Sequence, residues 1–480
     1  MATGAAGAPD GVCYSSGVKP RDRYSGSLLV RGAVWATALF YAFWLLRWSV
    51  RPEHFFFADD WDWLYRAALF PLREQLTFLP RYVMNDRPLG ALAIRAMYRI
   101  FGLNATPFYW MCLILHGINM TLLLALARRL MRSWWAAAAV AAAFGAWSAA
   151  IEGATWIADI FDVLGDTLIL AVLLTFAARR PWVRAGSVAL FYLALRTKEA
   201  AIVLPAMLVV MVAVTNPRER WLGEAKRTLW PHVLLALFFA AIYAPMLAEH
   251  QRVESVSNPY RMVFTPRAFF EGLYFYVSSM LYGGPWPVGR LIRWSVAMAA
   301  LIAGVGWRAR ATLAGIAGFV IFLGPIIFMA HQRQVLYLYI PAGFFALALG
   351  GAAEEAAVRL PVEEKRRERA AVAMILLCVV ALPHRTNMRK RAEWQLEHTA
   401  RARLDLAAFR AAVPALRPNA RVALIGFPDD YHVFQTPGCS VLKVVYGVDP
   451  VRCEFVADGA GADAVVVWRK EGVEVTAGGK

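Results

Sequence analysis

Three carboxylates, Asp59, Asp60 and Asp62, fall within four residues. They are set among Phe55, Phe56, Phe57, Trp61 and Trp63. Aromatic crowding raises the cost of the charged form of a carboxyl, which is how such a group becomes a useful base. The same rings offer flat apolar faces beside polar groups, which suits a sugar ring. The plainer reading is a solvated loop with interfacial Trp and Phe anchors. Asp60-Trp61-Asp62 also fits the D-x-D pattern of metal-dependent, nucleotide-sugar enzymes, but it lies on the wrong side of a membrane for cytoplasmic nucleotide sugars. Asp159 and Asp162 are three apart on a helical stretch and share a face. Asn104-Ala105-Thr106 matches a glycosylation pattern by chance.

The elements that position these residues are membrane spans. The chain has 480 residues, of which 59% are hydrophobic and 18% charged, with a mean hydropathy of +0.46. A soluble domain carries roughly 25% charge. The apolar runs include Leu28–Val50, Phe108–Leu130, Trp134–Ile151, Ile160–Ala178, Pro181–Leu195, Ala200–Val214, Val233–Ala248, Ala311–Ala330, Val335–Gly350 and Ala370–Pro383. A soluble core has no room for so many all-apolar helices. We expect a polytopic all-α membrane domain of about eleven spans, residues 28–383, after an N-terminal tail of residues 1–27. The first span is too long and Trp-rich for a cleaved signal and serves as an anchor. The net charge of +17 reflects positive-inside topology and anionic headgroups rather than nucleic acid.

Basic residues set the orientation. Arg128, Arg129 and Arg132, then Arg179, Arg180 and Arg184, then Arg218, Arg220, Lys226 and Arg227, then Arg308 and Arg310, and finally Glu354–Arg369 fall in alternate turns. With those turns cytoplasmic, the N-terminus is inside. Residues 51–107, the turns Glu152–Asp159 and Arg196–Glu199, residues 249–293 and His331–Gln334 then face outward. The acidic loop lies on that side, and so does the tail, residues 384–480. This tail reads as a small α/β domain. An amphipathic helix over Met388–Val413 is anchored by Trp394, Leu404 and Phe409. Strands follow at Arg421–Phe427, Val441–Val445 and Ala464–Trp468, and Thr476–Lys480 reads as a frayed end. Cys439 and Cys453 share the outward, oxidising compartment, where a bridge and two separate thiols are both open. Cys112 and Cys378 fall in spans and Cys13 in the N-terminal tail. No CxxC pair or His/Cys cluster suggests a metal site.

An acidic pair just past the first span resembles the GT-C fold glycosyltransferases, which include protein O-mannosyltransferases and lipid A aminoarabinose transferases. Further segments resemble the same superfamily in the same order: Asn85-Asp86-Arg87-Pro88-Leu89, then His116 and Asn119, then Trp156–Leu164 with its acids. Arg196-Thr197-Lys198-Glu199 and the Arg333–Tyr337–Pro341 segment complete the set. The resemblance spans about three quarters of the chain. The pair here is Asp-Asp where the mannosyltransferases have Asp-Glu, and the tail differs, so the sugar is left open.

The resemblance implies a transferase moving a sugar from a polyprenyl-phosphate donor to a lipid, glycan or protein acceptor, outside the cytoplasmic (inner) membrane. Such a reaction needs a base for the acceptor hydroxyl and cations for the departing phosphate. Asp60, or Asp59, supplies the base. Arg196, Lys198 and Arg333 supply the cations, with His331 as a helper. Trp61, Asp62 and Trp63 frame the sugar. Asp162, with Asp159 beside it, orients base or acceptor, and Glu199 and Tyr337 come with their motifs. The requirement for a divalent metal is open. Each cation can also simply snorkel to headgroups, and Asp162 can serve as a contact between spans. The competing classes are a secondary transporter, which places charges near the midplane, and a non-catalytic relative in envelope assembly.

Overall fold

The computed structural model describes residues 51, 53–81, 86–178, 180–252, 260–282, 309–381, 384–427, 433–434 and 439–477, with isolated positions from 28 to 39 and from 288 to 296. The expected first span Leu28–Val50 and the stretch near Trp294–Val305 lie largely outside the described residues. Cys13, Asn85 and the side chain of Cys378 also lie outside them.

The acidic loop and the stretch after it hold α1 (Asp60–Leu69) and α2 (Pro88–Phe101). Pro88 starts α2, where its missing N–H costs nothing. Next comes α3 (Thr106–Leu130), 25 residues long. At 1.5 Å per residue it reaches about 37 Å, enough for a hydrocarbon core of about 30 Å. Arg128 and Arg129 fall in its last turn, where cations complement the helix dipole. The Ser133 hydroxyl then accepts from the Ala136 amide to cap α4 (Trp134–Gly145). The expected span Trp134–Ile151 breaks after Gly145 and bends by 53° into Ser148–Thr155. That break creates the turn leading to Asp159. The helices α5 (Ile160–Phe176), α6 (Pro181–Leu195), α7 (Leu204–Thr215), α8 (Trp230–Arg252), α9 (Pro266–Tyr282), α10 (Arg310–Leu323), α11 (Tyr339–Val358) and α12 (Glu364–Ala381) follow.

Among the described residues, three helices are long and apolar enough to cross a membrane: Thr106–Leu130, Trp230–Glu249 and Val335–Val358. The bent pair makes up to four. Pro181–Leu195, Glu199–Thr215 and Arg310–Leu323 are apolar but shorter. The expected span Ala311–Ala330 stops being α-helical at Leu323, because the chain turns at Gly324-Pro325. The apolar window of Val335–Val358 is 83% buried and that of Trp230–Glu249 only 11%, so the former is the central helix and the latter a peripheral one. A Cβ at Gly315 of α10 would lie 2.3 Å from the Ala348 nitrogen of α11. The two backbones therefore meet as closely as small residues allow, the packing mode that works where lipid offers no hydrophobic drive.

The turns sort to two ends. The Arg132 and Ser133 amides donate to Glu354 at 3.0 and 2.7 Å, and Arg184 lies 3.9 Å from Glu224. The basic turns therefore gather at one end, and the acidic turns, as shown below, at the other.

The tail begins with α13 (His384–Ala412). Its buried residues Met388, Ala392, Gln395, Thr399, Ala402, Leu406 and Phe409 form one stripe. Leu404, expected as an anchor, is exposed, because it lies off that stripe. The sheet has the order β2-β1-β3-β4, with β1 (Ala420–Ile425), β2 (Val451–Phe455), β3 (Ala464–Arg469) and β4 (Gly472–Ala477). β1 runs parallel to β2 and β3, and β4 antiparallel to β3. The expected strand Val441–Val445 is instead the helix α14 (Ser440–Tyr446). Parallel neighbours need a crossover, which α14 supplies between β1 and β2. Gly447, at φ 65°, ends it. Thr476 and Ala477, expected to fray, pair with Val465 and Ala464. Cys439 and Cys453 form a disulfide that ties the start of α14 to β2.

Candidate active site

The chain enters the acidic loop through buried Phe55, Phe56 and Phe57. Ala58 takes a left-handed conformation, φ 49°, uncommon for a residue with a Cβ. After it the two acids part. Asp60 turns inward and is 1% exposed, whereas Asp59 is exposed. The Phe57 amide donates to Asp60 Oδ2 at 3.1 Å, and the Ala158 amide donates to Oδ1 at 2.8 Å. Asp60 thus pins the loop to the turn that carries Asp159. Burial pushes its carboxyl up to about 8, against the two backbone bonds, which favour the charged form. Both oxygens of the acid that the sequence favours as base are therefore engaged.

A cavity of about 270 Å³ opens between Arg87, Asp162 and Lys198. Its polar wall consists of Arg87, Asp162, Lys198, Glu199, Tyr243, Tyr260 and Tyr337, and the rest is apolar, including Leu195, Ile202 and Met262, residues of α8, and the chain from the end of α10 to the start of α11. Lys198 Nζ bonds Asp162 Oδ2 at 2.7 Å and sits 5.6 Å from the Tyr337 ring. Arg87 grips Glu199 through Nε at 2.9 Å and Nη2 at 2.8 Å, the two-pronged geometry of the guanidinium. Burial raises the Glu199 carboxyl, but the Arg87 charge outweighs it and leaves the group below its ordinary value. A Cβ at Gly90 would overlap the Phe161 ring at 2.4 Å, so glycine lets α2 press on α5 and bring Arg87 to the cavity. Arg87 also lies 5.4 Å from the Phe161 ring. Burial raises the Tyr260 hydroxyl, and the field of Asp59 contributes to the rise. Asp59 itself is not among the residues that line the cavity.

The other residues expected at the site lie elsewhere. Arg196 is buried beneath it, 2.6 Å from Asp86, and also donates to Thr77. The buried carboxylate of Asp86 draws it out of the cavity. Arg333 pairs with Glu271 at 3.0 Å, and His331 is exposed. Asp62 turns to Arg66 at 3.1 Å. Trp61 is fully buried against Phe55 and Phe56, so it builds the core rather than framing a ligand. Trp63 packs on Phe161 at 4.2 Å. Asp159 is buried with Oδ2 unbonded, and burial, then the charges of Asp162 and Glu152, hold it well above the ordinary range. Sequence reasoning missed Arg87, Tyr243 and Tyr260 as wall residues. Arg87 was visible within the Asn85–Leu89 motif. Among the described residues no group of three or more His, Cys, Asp or Glu is placed to hold a metal ion.

Residues 85–248 match the family model described as dolichyl-phosphate-mannose-protein mannosyltransferase. This stretch contributes Arg87, Asp162, Lys198 and Glu199 to the cavity. Among solved structures the chain is similar to ArnT from Cupriavidus metallidurans bound to undecaprenyl phosphate, at 15% identity and a TM-score of 0.48, over 90% of this chain and 86% of that one. No curated protein matches.

Proposed function

We propose, for a chain whose residues 85–248 resemble the GT-C mannosyltransferases, that it moves a sugar from a polyprenyl-phosphate donor to an acceptor hydroxyl. The reaction takes place at the outer face of the inner membrane, with the N-terminus in the cytoplasm and the tail domain outside. The observation that carries this reading is the pair of cations, Arg87 and Lys198, at the polar wall of an otherwise apolar cavity. A lipid phosphate needs just such a combination: hydrocarbon walls for the first prenyl units and charge for the head.

Asp59 takes the proton of the acceptor hydroxyl, whose oxygen bonds the anomeric carbon. The bond from that carbon to the phosphate oxygen breaks, and its electron pair stays on the phosphate. Arg87 and Lys198 stabilise the charge that develops there. Glu199 and Asp162 hold the two cations in place beforehand, so little reorganisation is needed. Asp60 fixes the loop, and Arg333, paired with Glu271, serves as a secondary cation.

Transport would rest on polar groups within the helices, where the Tyr339 hydroxyl meets His116 Nδ1 at 2.7 Å and receives Asn119 Nδ2 at 3.1 Å. Thr167 donates to Asn119 Oδ1 at 2.6 Å. These groups satisfy one another, as polar contacts between spans do. The test is to compare lipid-linked and surface glycans by mass spectrometry in a strain lacking the chain and in the same strain complemented. Transfer predicts a glycan lost on deletion and a sugar-loaded polyprenyl phosphate that accumulates. An unchanged glycan profile contradicts it.

A further inference from the structure

The tail domain touches the acidic loop through one helix face. Arg391 of α13 pairs with Glu152, and its guanidinium lies 4.3 Å from the Trp394 ring. One turn on, buried Gln395 donates through Nε2 to the Thr155 carbonyl and lies 3.5 Å from the Tyr109 hydroxyl. Tyr109 in turn donates to the Phe55 carbonyl at 2.9 Å. Trp394 meets the Phe57 ring edge-on at 6.0 Å, and Phe57 stacks on Trp156 at 5.4 Å. Further along α13, Arg403 donates to the His54 carbonyl at 3.0 Å. The helix thus holds both segments that Asp60 joins, the loop before it and the turn bearing Ala158.

We propose that α13 sets the position of the acidic pair, with Arg391 and Gln395 as positioning residues for Asp59; this rests on the transfer reading above. The link is geometric. Glu152 and Thr155 fix the short helix that leads to Ala158. The Ala158 amide fixes Asp60, and Asp59 precedes Asp60 directly, with no spacer between them. Movement of the helix face is passed to the base, where a misplacement of about 1 Å can cost roughly 10²-fold in rate. Side chains that orient a site from outside it act in this way. Neither residue lines the cavity, so donor binding should be spared.

The experiment uses the full chain in detergent, with Arg391→Ala, Arg391→Lys, Gln395→Ala and Gln395→Glu. Amide hydrogen exchange reads the loop without reference to activity. Exchange should quicken in peptides covering residues 55–60 and 155–160 in the Ala variants and in Gln395→Glu, while α3 and β1 stay as in the wild type. Arg391→Lys, which keeps the charge opposite Glu152, should restore most of the protection. Unchanged exchange in both peptides would overturn the proposal. Where the Ala variants loosen the whole chain, Gln395→Glu, which keeps the side-chain volume, decides. For transfer, kcat should fall about 10²-fold with the KM for donor within about twofold. Quickened exchange with kcat intact would overturn the link to the base. Full transfer by Asp59→Asn would instead sink the transferase mechanism and leave the exchange result to stand on its own.

Discussion

Asp60 lies out of water and accepts two backbone bonds, and burial lifts its carboxyl to about 8 from the ordinary value of 3.8. The sign follows from linkage. A carboxyl whose folded value is raised holds its proton in the native state while the unfolded chain has lost it, so stability falls as pH rises between the two values. Thermal unfolding should therefore shift to lower temperature from about pH 4 to about pH 8 by this linkage. Asp60→Asn should flatten the dependence, because the amide does not ionise. It has one acceptor oxygen for two donors, so it also leaves an amide short of a partner, at a cost of about 1–3 kcal/mol. Unfolding curves of the two proteins across that range check both statements. The division of labour between the acids was not visible in the sequence. Alternation in an extended loop says only that Asp59 and Asp60 face opposite ways. Which one is buried depends on the Ala158 amide, 98 residues away in the chain.

Helices explain which cations reach the cavity. Arg196, Lys198 and Glu199 sit at the end of α6 and the turn after it, and the local sequence does not say which points inward. Asp86 claims Arg196 and Asp162 claims Lys198, so the partners decide, and they come from elsewhere, the loop before α2 and the helix α5. Val441–Val445 reads as a strand because a short apolar run carries no period of its own. Its helical state follows from the parallel pairing of β1 and β2. The amphipathic pattern of α13 and the runs at β1 and β3 were legible, since each follows from its own residues. Three predictions belong here. Lys198→Ala strands Asp162, and breaking a buried pair typically costs about 3–5 kcal/mol. Lys198→Ala/Asp162→Ala together should regain most of that stability in thermal unfolding, but not transfer. Arg87→Lys should recover transfer only in part, because an ammonium does not reproduce the two-pronged grip. Its rate in a donor-transfer assay should lie between those of Arg87→Ala and the wild type. Reducing the Cys439–Cys453 bridge should destabilise the tail domain by about 2–4 kcal/mol, read as faster exchange in β2 and α14 while α3 is unaffected.

At the scale of the whole molecule, basic turns gather at one end of the helices and the acidic loop, the cavity and the tail domain at the other. With the basic end in the cytoplasm, reporter fusions at Gly26 and Gly478 should report inside and outside respectively. Both ends on one side would mean an even number of spans and would put the N-terminus on the same side as the cavity and the tail domain. The cavity, the loop and the docked tail work together as one transfer centre only if Asp59 is the group that activates the acceptor. Complementation of a deletion strain with Asp59→Asn, scored by mass spectrometry of its surface glycans with the variant's membrane level matched to wild type, tests this most directly. The account predicts that the glycan stays missing, with transfer reduced at least about 10²-fold, as the loss of a general base entails. A glycan restored to the wild-type level by Asp59→Asn would contradict it.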